Sequence, residues 1–206
     1  MTAAAPMTDK TAYFDAMYGH SADPYALRTR WYEQRKRAVL MAALPHPRYG
    51  RAYEPGCGAA ELTVELAARC DHVLATDFSD NAVMAARQRT EALDNVRVEK
   101  HVLPRDWPAT GAPFDLIVLS EVGYFLDAAA MNHVAHCCAA SLSAGGALVA
   151  CDWRPDFKER ALSTEAVHAA LAKIGLSQCV RHDEDDFLLR VWSRDSRSVA
   201  QLEGIR

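Results

Sequence analysis

Short apolar runs alternate with amphipathic stretches along most of the chain. From Arg51 the pattern predicts strand Arg51 to Glu54, helix Ala59 to Cys70, strand His72 to Asp77, helix Asp80 to Leu93 and strand Val96 to His101, which is the βαβαβ half of a doubly wound sheet. Leu62, Leu66 and Cys70 recur four residues apart, the spacing by which a helix lays one face on a sheet. The next segment, PRDWPATGAP, holds too many breakers for a regular helix. Alternation resumes with strand Phe114 to Ser120, helix Asp127 to Leu142, strand Ala147 to Asp152 behind Gly145-Gly146, and helix Glu165 to Ile174. Two β-rich runs, Gln178 to His182 and Phe187 to Trp192, are joined by the short acidic link Asp183 to Asp186. Only antiparallel strands can be linked so tightly. The expectation is an α/β, doubly wound, Rossmann-like sheet of seven strands with one terminal antiparallel strand.

Ahead of the sheet lie two helical patterns, one around Tyr13 to Tyr18 and one from Asp23 to about Leu44, where Asp23-Pro24 reads as an N-cap followed by a first-turn proline. The prolines of LPHPRYG end it. Residues 1–44 are therefore expected to form an N-terminal helical lid on a domain spanning 45–206, the two making one folding unit.

With 206 residues, half of them hydrophobic, the chain can bury one sizeable core. Its net charge of −4 and interspersed signs give no broad basic field, which argues against nucleic acid as a partner. The local run Arg28, Arg30, Arg35, Lys36, Arg37 reads more readily as a solvated helix face than as a phosphate site. The six cysteines show neither C-x-x-C pairs nor zinc-ligand spacing, and His133 and His136, one turn apart, have no third ligand nearby, so no metal is expected. The N-terminus MTAAAPMTDK has no apolar signal core, and no apolar stretch approaches the roughly 20 residues of a membrane span, so a cytoplasmic protein without membrane partners is expected.

The strongest local signal is Glu54-Pro-Gly56-Cys57-Gly58-Ala-Ala-Glu61, where the first strand turns into the first helix and glycines let the backbone approach a ligand. A dinucleotide pyrophosphate wants Gly or Ala where this chain has Glu61, whose carboxylate in the first helical turn would repel it. Glu54 and Glu61 together suit a cationic nucleoside such as S-adenosylmethionine. About twenty residues on, Asp77 closes the second strand, either capping the next turn or accepting from ribose hydroxyls. Phe78 and Leu103, near the ends of the second and third strands, complete the cofactor set with Ser120 and Glu121. The run Phe114 to Tyr124 carries Ser120, Glu121 and Tyr124 to the carboxyl edge of the sheet, where acceptor chemistry belongs; Trp153, beside Asp152, joins the acceptor set.

The order of Gly turn, acid at the second strand, F-D-L-I-V-L strand, Gly-Gly before the fifth strand and terminal hairpin resembles class I methyltransferases over residues 45–193. More narrowly, Tyr13-Phe-Asp-Ala-Met-Tyr18, Asp23-Pro24-Tyr25, Tyr32-Glu-Gln-Arg35-Lys36, Ala43-Leu-Pro45, Glu54-x-Gly56-Cys57, Leu62-Thr63, Cys70-Asp71, Trp107-Pro108, Ser120-Glu121-Val122 and Val167-His168 resemble the NodS-like N-methyltransferases. The chain departs from that family's pattern at Gly58 and Ala60. The resemblance implies methylation of the free amine of a deacetylated glucosamine unit in an oligosaccharide, with S-adenosylhomocysteine as product. It also implies that Tyr13 and Tyr18 belong to a lid over the cofactor, that Trp31 stacks on a sugar face, and that His168 lies near the acceptor.

For an in-line methyl transfer the protein has to orient a neutral amine and accommodate its proton. Glu121, which follows the fourth strand, leads as the catalytic candidate. Asp152, which ends the fifth strand and could merely face solvent, and His168, which on base rates is a partly buried structural histidine, are the other two catalytic candidates. The aromatics Tyr13, Tyr18, Tyr25, Trp31 and Tyr32 either close over a sulfonium or pack their helices on the core. Alternatives that stay open are methylation of another small-molecule amine or hydroxyl, a nicotinamide-dependent oxidoreductase, and a protein that binds the cofactor without turnover. The chain is expected to work as a monomer or homodimer.

Overall fold

The computed structural model describes residues 7–109 and 111–206. Seven strands, β1 (Tyr49–Pro55), β2 (Cys70–Asp77), β3 (Val96–Lys100), β4 (Phe114–Ser120), β5 (Leu142–Trp153), β6 (Ser177–Asp183) and β7 (Phe187–Ser193), form one sheet in the order β3-β2-β1-β4-β5-β7-β6. The first five run parallel, and β7 is antiparallel to both β5 and β6, as the short acidic link requires. The chain reverses its direction of travel across the sheet between β1 and β4. Ligands of such sheets bind at that switch, beyond the carboxyl ends of the strands.

Seven helices accompany the sheet: α1 (Met7–His20), α2 (Trp31–Ala43), α3 (Glu61–Ala67), α4 (Asp80–Arg89), α5 (Ala128–Ser141), α6 (Thr164–Leu171) and the short α7 (Val199–Leu202). Alternation along each strand divides the core. Leu116 and Val118 of β4 pack with Leu40 of α2 and Leu66 of α3, while Ile117 and Leu119 pack with Met131 of α5 and Val167 of α6. Among the described residues no helix is long and apolar enough to cross a membrane.

Several boundaries differ from expectation. The second helix begins at Trp31 and not after Asp23. The Asp23 carboxylate accepts from the amides of Leu27 and Arg28 (2.7 and 3.1 Å), and Ala26 sits at φ 55°, so the segment folds into turns that a right-handed helix cannot continue through. The helix after β1 begins at Glu61 because Ala60 is left-handed (φ 67°), and Cys70 opens β2 instead of ending that helix. Strand β5 starts at Leu142, which pairs with Phe114, and the Gly145-Gly146 pair lies inside it at an irregularity in register. A Cβ on Gly146 would fall 3.0 Å from the Phe114 carbonyl, which explains the glycine.

Leu66 is fully buried between α3 and the sheet. Leu66→Ala is expected to lower unfolding free energy by about 2–5 kcal/mol, read from urea denaturation with the native fold retained by circular dichroism.

Candidate functional site

The turn between β1 and α3 is built around two left-handed glycines. Gly56 (φ 72°) and Cys57 both donate their amides to the Thr76 carbonyl at the end of β2, at 2.6 and 3.0 Å. A Cβ on Gly56 would come within 2.1 Å of Val122, and one on Gly58 (φ 52°) would strike the Tyr18 hydroxyl. Glycine is therefore demanded by close approach as well as by backbone angle. Asp77 lies beside this turn: its Oδ2 accepts from the Gly58 amide and its Oδ1 from the Ser79 amide, each at 3.0 Å. Burial pushes its carboxyl up, and those backbone donors pull it back toward the charged form. Each oxygen retains a lone pair for a further donor.

Two cavities meet over the strand ends. The smaller, about 130 Å³, is walled by Gly56, Asp77, Phe78, His101, Leu103 and Val122, with Phe14 edge-on to Phe78 at 5.4 Å. The larger, about 440 Å³, is walled by Tyr13, Tyr25, Tyr32, Tyr124, Trp153 and Phe157, together with Arg30, Glu33, Lys36 and Glu159. Phe14, Glu121 and Phe125 line both.

Glu121 thus stands at the junction, with a left-handed backbone (φ 60°) that costs about 1–2 kcal/mol in a non-glycine residue. Its amide donates to the Cys151 carbonyl at 3.0 Å. Its carboxylate is held by three donors: Lys36 Nζ at 2.8 Å, the Trp153 amide at 3.2 Å and the Tyr124 hydroxyl. Lys36 is buried and also pairs with Glu33 at 3.0 Å. Burial works against its ammonium, but Glu121 and Glu33 more than offset that and hold its pKa above the ordinary lysine value. Burial, and then the Glu121 charge, push the Tyr124 phenol up.

Of the residues proposed from sequence, Gly56, Asp77, Phe78, Leu103 and Glu121 line the smaller cavity, and Tyr13, Tyr124, Trp153 and Glu121 the larger. Tyr18 covers Gly58, and Cys57 is buried beneath the turn. Glu54 lines neither cavity: it is buried and accepts from Thr63 Oγ1 at 2.6 Å. Glu61 is turned away as well, paired with Arg28 and with Arg89 at 3.1 Å, so it does not provide the repulsion of pyrophosphate expected of it. Trp31 is 73% exposed and Ser120 half-buried, and neither lines a cavity. Asp152 does not face solvent: it is wholly buried, bonded to His168 at 3.0 Å behind the cavity walls. His133 and His136 are exposed, and no metal-binding cluster occurs among the described residues. The basic run is only partly a solvated face: Arg28 and Arg30 are exposed, but Arg28, Arg35, Lys36 and Arg37 are paired with Glu61, Glu184, Glu121 and Glu65. Lys36, Glu33 and Glu159 were missed. An i,i+3 Glu33–Lys36 spacing was the one available signal, and it did not distinguish a buried pair from a surface one.

A family model for the methyltransferase domain matches residues 52–146. A solved structure of a candidate methyltransferase from Pseudomonas syringae is 47% identical, over 80% of this chain and 99% of that one, with a TM-score of 0.71. The chain belongs to the class I methyltransferases. It is also similar to nodulation protein S of Sinorhizobium fredii, at 30% identity over 129 residues, 62% of this chain and 59% of that protein. This chain therefore spans somewhat over half the length of that relative. N-methyltransferase NodS of Bradyrhizobium japonicum, solved with S-adenosylhomocysteine, shares the fold at a TM-score of 0.79 and 24% identity, over 89% of this chain and 97% of that one. S-adenosylmethionine is the cofactor of the class, and this methyltransferase fits it: the Gly56 and Gly58 cradle leaves the backbone open, Asp77 offers lone pairs to ribose hydroxyls, and Phe14, Phe78 and Leu103 wall an apolar pocket.

Burial raises the Glu54 carboxyl of this methyltransferase to about 8 despite the bond from Thr63. Between pH 4.5 and 8 the folded protein then keeps a proton the unfolded chain has lost, so stability falls as pH rises through that window and levels beyond it. The loss is on the order of 5 kcal/mol, at about 1.4 kcal/mol per pH unit. Glu54→Gln should remove this fall, seen as convergence of the two proteins' urea midpoints at low pH and a growing advantage of the variant toward pH 8.

Proposed function

We propose that this protein is an S-adenosylmethionine-dependent N-methyltransferase acting on the free amine of an amino sugar, with deacetylated glucosamine in an oligosaccharide as the type acceptor. The observation that carries the reading is the junction at Glu121, where the small apolar pocket beside the Gly turn opens on an aromatic cavity past a carboxylate paired with lysine. The larger cavity suits a sugar. Tyr25, Tyr32, Tyr124 and Trp153 offer ring faces and edges to it. Nodulation protein S of S. fredii and NodS of B. japonicum support the amine as target. Residues 1–44 act in this reading as the lid, α1 being tied to the start of α4 by Ser79 on Asp15 and by Asn81 on the Asp15 carbonyl at 2.8 Å.

S-adenosylmethionine supplies a methyl group on cationic sulfur, which leaves as the neutral thioether of S-adenosylhomocysteine while the acceptor nitrogen's lone pair makes the new bond. The residues of this chain place the amine and keep it a nucleophile. A protonated amine has no lone pair to give, so a bare carboxylate beside the reacting nitrogen would hold it in the wrong state. Lys36 offsets that effect at Glu121, and the carboxylate serves to fix Tyr124 and the Trp153 backbone along the cavity wall. The proton shed by the nitrogen passes to water.

Incubation of partly deacetylated chitooligosaccharides with enzyme and cofactor should add one methyl by mass spectrometry, and no gain on any amino sugar would retire the reading. Lys36→Met should leave Glu121 and Glu33 uncompensated, lower kcat about tenfold near neutrality and move the rising limb of the pH–rate profile to higher pH.

A further inference from the structure

Four of the charged groups around the larger cavity are accounted for or screened. Glu33 and Glu121 share the Lys36 ammonium between them, and Arg30 is exposed to water. Glu159 is different. It lines the larger cavity but not the smaller one, is only partly exposed, and forms no hydrogen bond or ion pair with any described residue. It sits in the link between β5 and α6, next to Arg160, whose guanidinium is committed elsewhere: to the Trp153 carbonyl at 2.6 Å, to Thr164 at 3.1 Å and to the faces of Tyr124 and Phe157 at 4.8 Å. The aromatic neighbours of Glu159 are Tyr13 and Tyr25. After burial, the Glu159 charge is a further cause that raises both phenols, which places the three groups within electrostatic reach of one another.

A free carboxylate among tyrosine rings is a binding site for an organic cation. The carboxylate accepts charge-assisted hydrogen bonds, and ring faces attract the positive charge. The cation bound there cannot be the reacting amine, because an ammonium held by a bare carboxylate is kept protonated and cannot attack. The methyl acceptor has to sit by Glu121, which borders both cavities, whereas Glu159 borders only the one away from the cofactor pocket.

We infer that Tyr13, Tyr25 and Glu159 bind a second, protonated amine of the acceptor, so that the preferred substrate carries at least two basic nitrogens, one methylated at the Glu121 junction and one held as a cation by Glu159. This rests on the amine reading above and narrows it from one free amine to an acceptor with several, as in an oligosaccharide deacetylated at neighbouring units.

The test compares a glucosamine disaccharide bearing two free amines with its mono-N-acetylated form, each assayed with saturating cofactor. The diamine should show a kcat/KM at least about tenfold higher, beyond the factor of two expected from having two reactive amines. Glu159→Gln should raise KM for the diamine about tenfold with kcat nearly kept, so that discrimination between the two acceptors collapses, and Glu159→Asp should restore part of it. A merely structural role for Glu159 would lower activity on both acceptors alike, and that outcome, or a ratio of two or less in the parent enzyme, overturns the inference while leaving amine methylation intact. Methylation of neither acceptor, with S-adenosylhomocysteine still bound in calorimetry, overturns both.

Discussion

The contact between buried Lys36 and half-buried Glu121 holds the site together. Lys36 belongs to α2, ahead of the sheet in sequence, and Glu121 ends β4 on the central strands, 85 residues away. Taking two charges out of water costs more than an isolated pair returns, so this pair is poor evidence for stability. Its value is positional. Glu33 on one side, and Tyr124 and the Trp153 amide on the other, satisfy the remaining donors and acceptors, and the network has one arrangement in which none is left over. That arrangement sets the left-handed backbone at Glu121, the depth of Tyr124, and the height at which α2 lies over the strand ends.

Around that pair, the rest of the basic run makes the same connection from partly exposed positions. Arg35 grips Glu184 in the β6–β7 turn with two bonds of 2.8 and 2.7 Å, Arg37 reaches Glu65 on α3, and Arg28 reaches Glu61 at the start of α3. Singly, such partly exposed pairs are worth little. Together they point α2 at both ends of the sheet's carboxyl edge and leave the Leu40 face no other direction than the core. The N-terminal segment is thereby part of the domain's packing at α2, while α1 is joined to the domain by fewer polar ties at Asp15.

The sheet was readable in the sequence because buried parallel strands appear as continuous apolar runs, and Phe114 to Ser120 matches its observed span residue for residue. The Gly turn and Asp77 were readable because their chemistry is local: left-handed angles need glycine, and a strand end needs an acceptor. Asp23-Pro24 misled for an equally local reason. The same carboxylate that caps a helix here ties off two amides of a turn, and the choice was made at Ala26, where nothing in the residue type announces a positive φ. Charges were least readable. Whether Glu61 faces a ligand or Arg28 and Arg89 depends on residues 33 and 28 positions away, and whether Glu159 is free depends on Arg160 finding partners elsewhere.

The Asp152–His168 pair shows how the far wall is kept in place without touching either ligand space. Asp152 Oδ2 meets His168 of α6 at 3.0 Å, while Asp152 Oδ1 and His168 Nδ1 are buried without a partner, an expensive condition for polar atoms in a core. Trp153, the next residue, carries the compensating bonds: its amide holds Glu121, and its carbonyl accepts from Arg160 and Thr164. Strand β5 therefore passes the position of α6 directly to the carboxylate at the junction, through consecutive residues of one strand. With the His168 ring against Trp192 at 5.9 Å, α6 is also tied to β7, the strand that lies beside β5. The wall opposite α2 is thus as fixed as α2 itself, and the larger cavity between them keeps its shape because both sides are referenced to the same carboxylate.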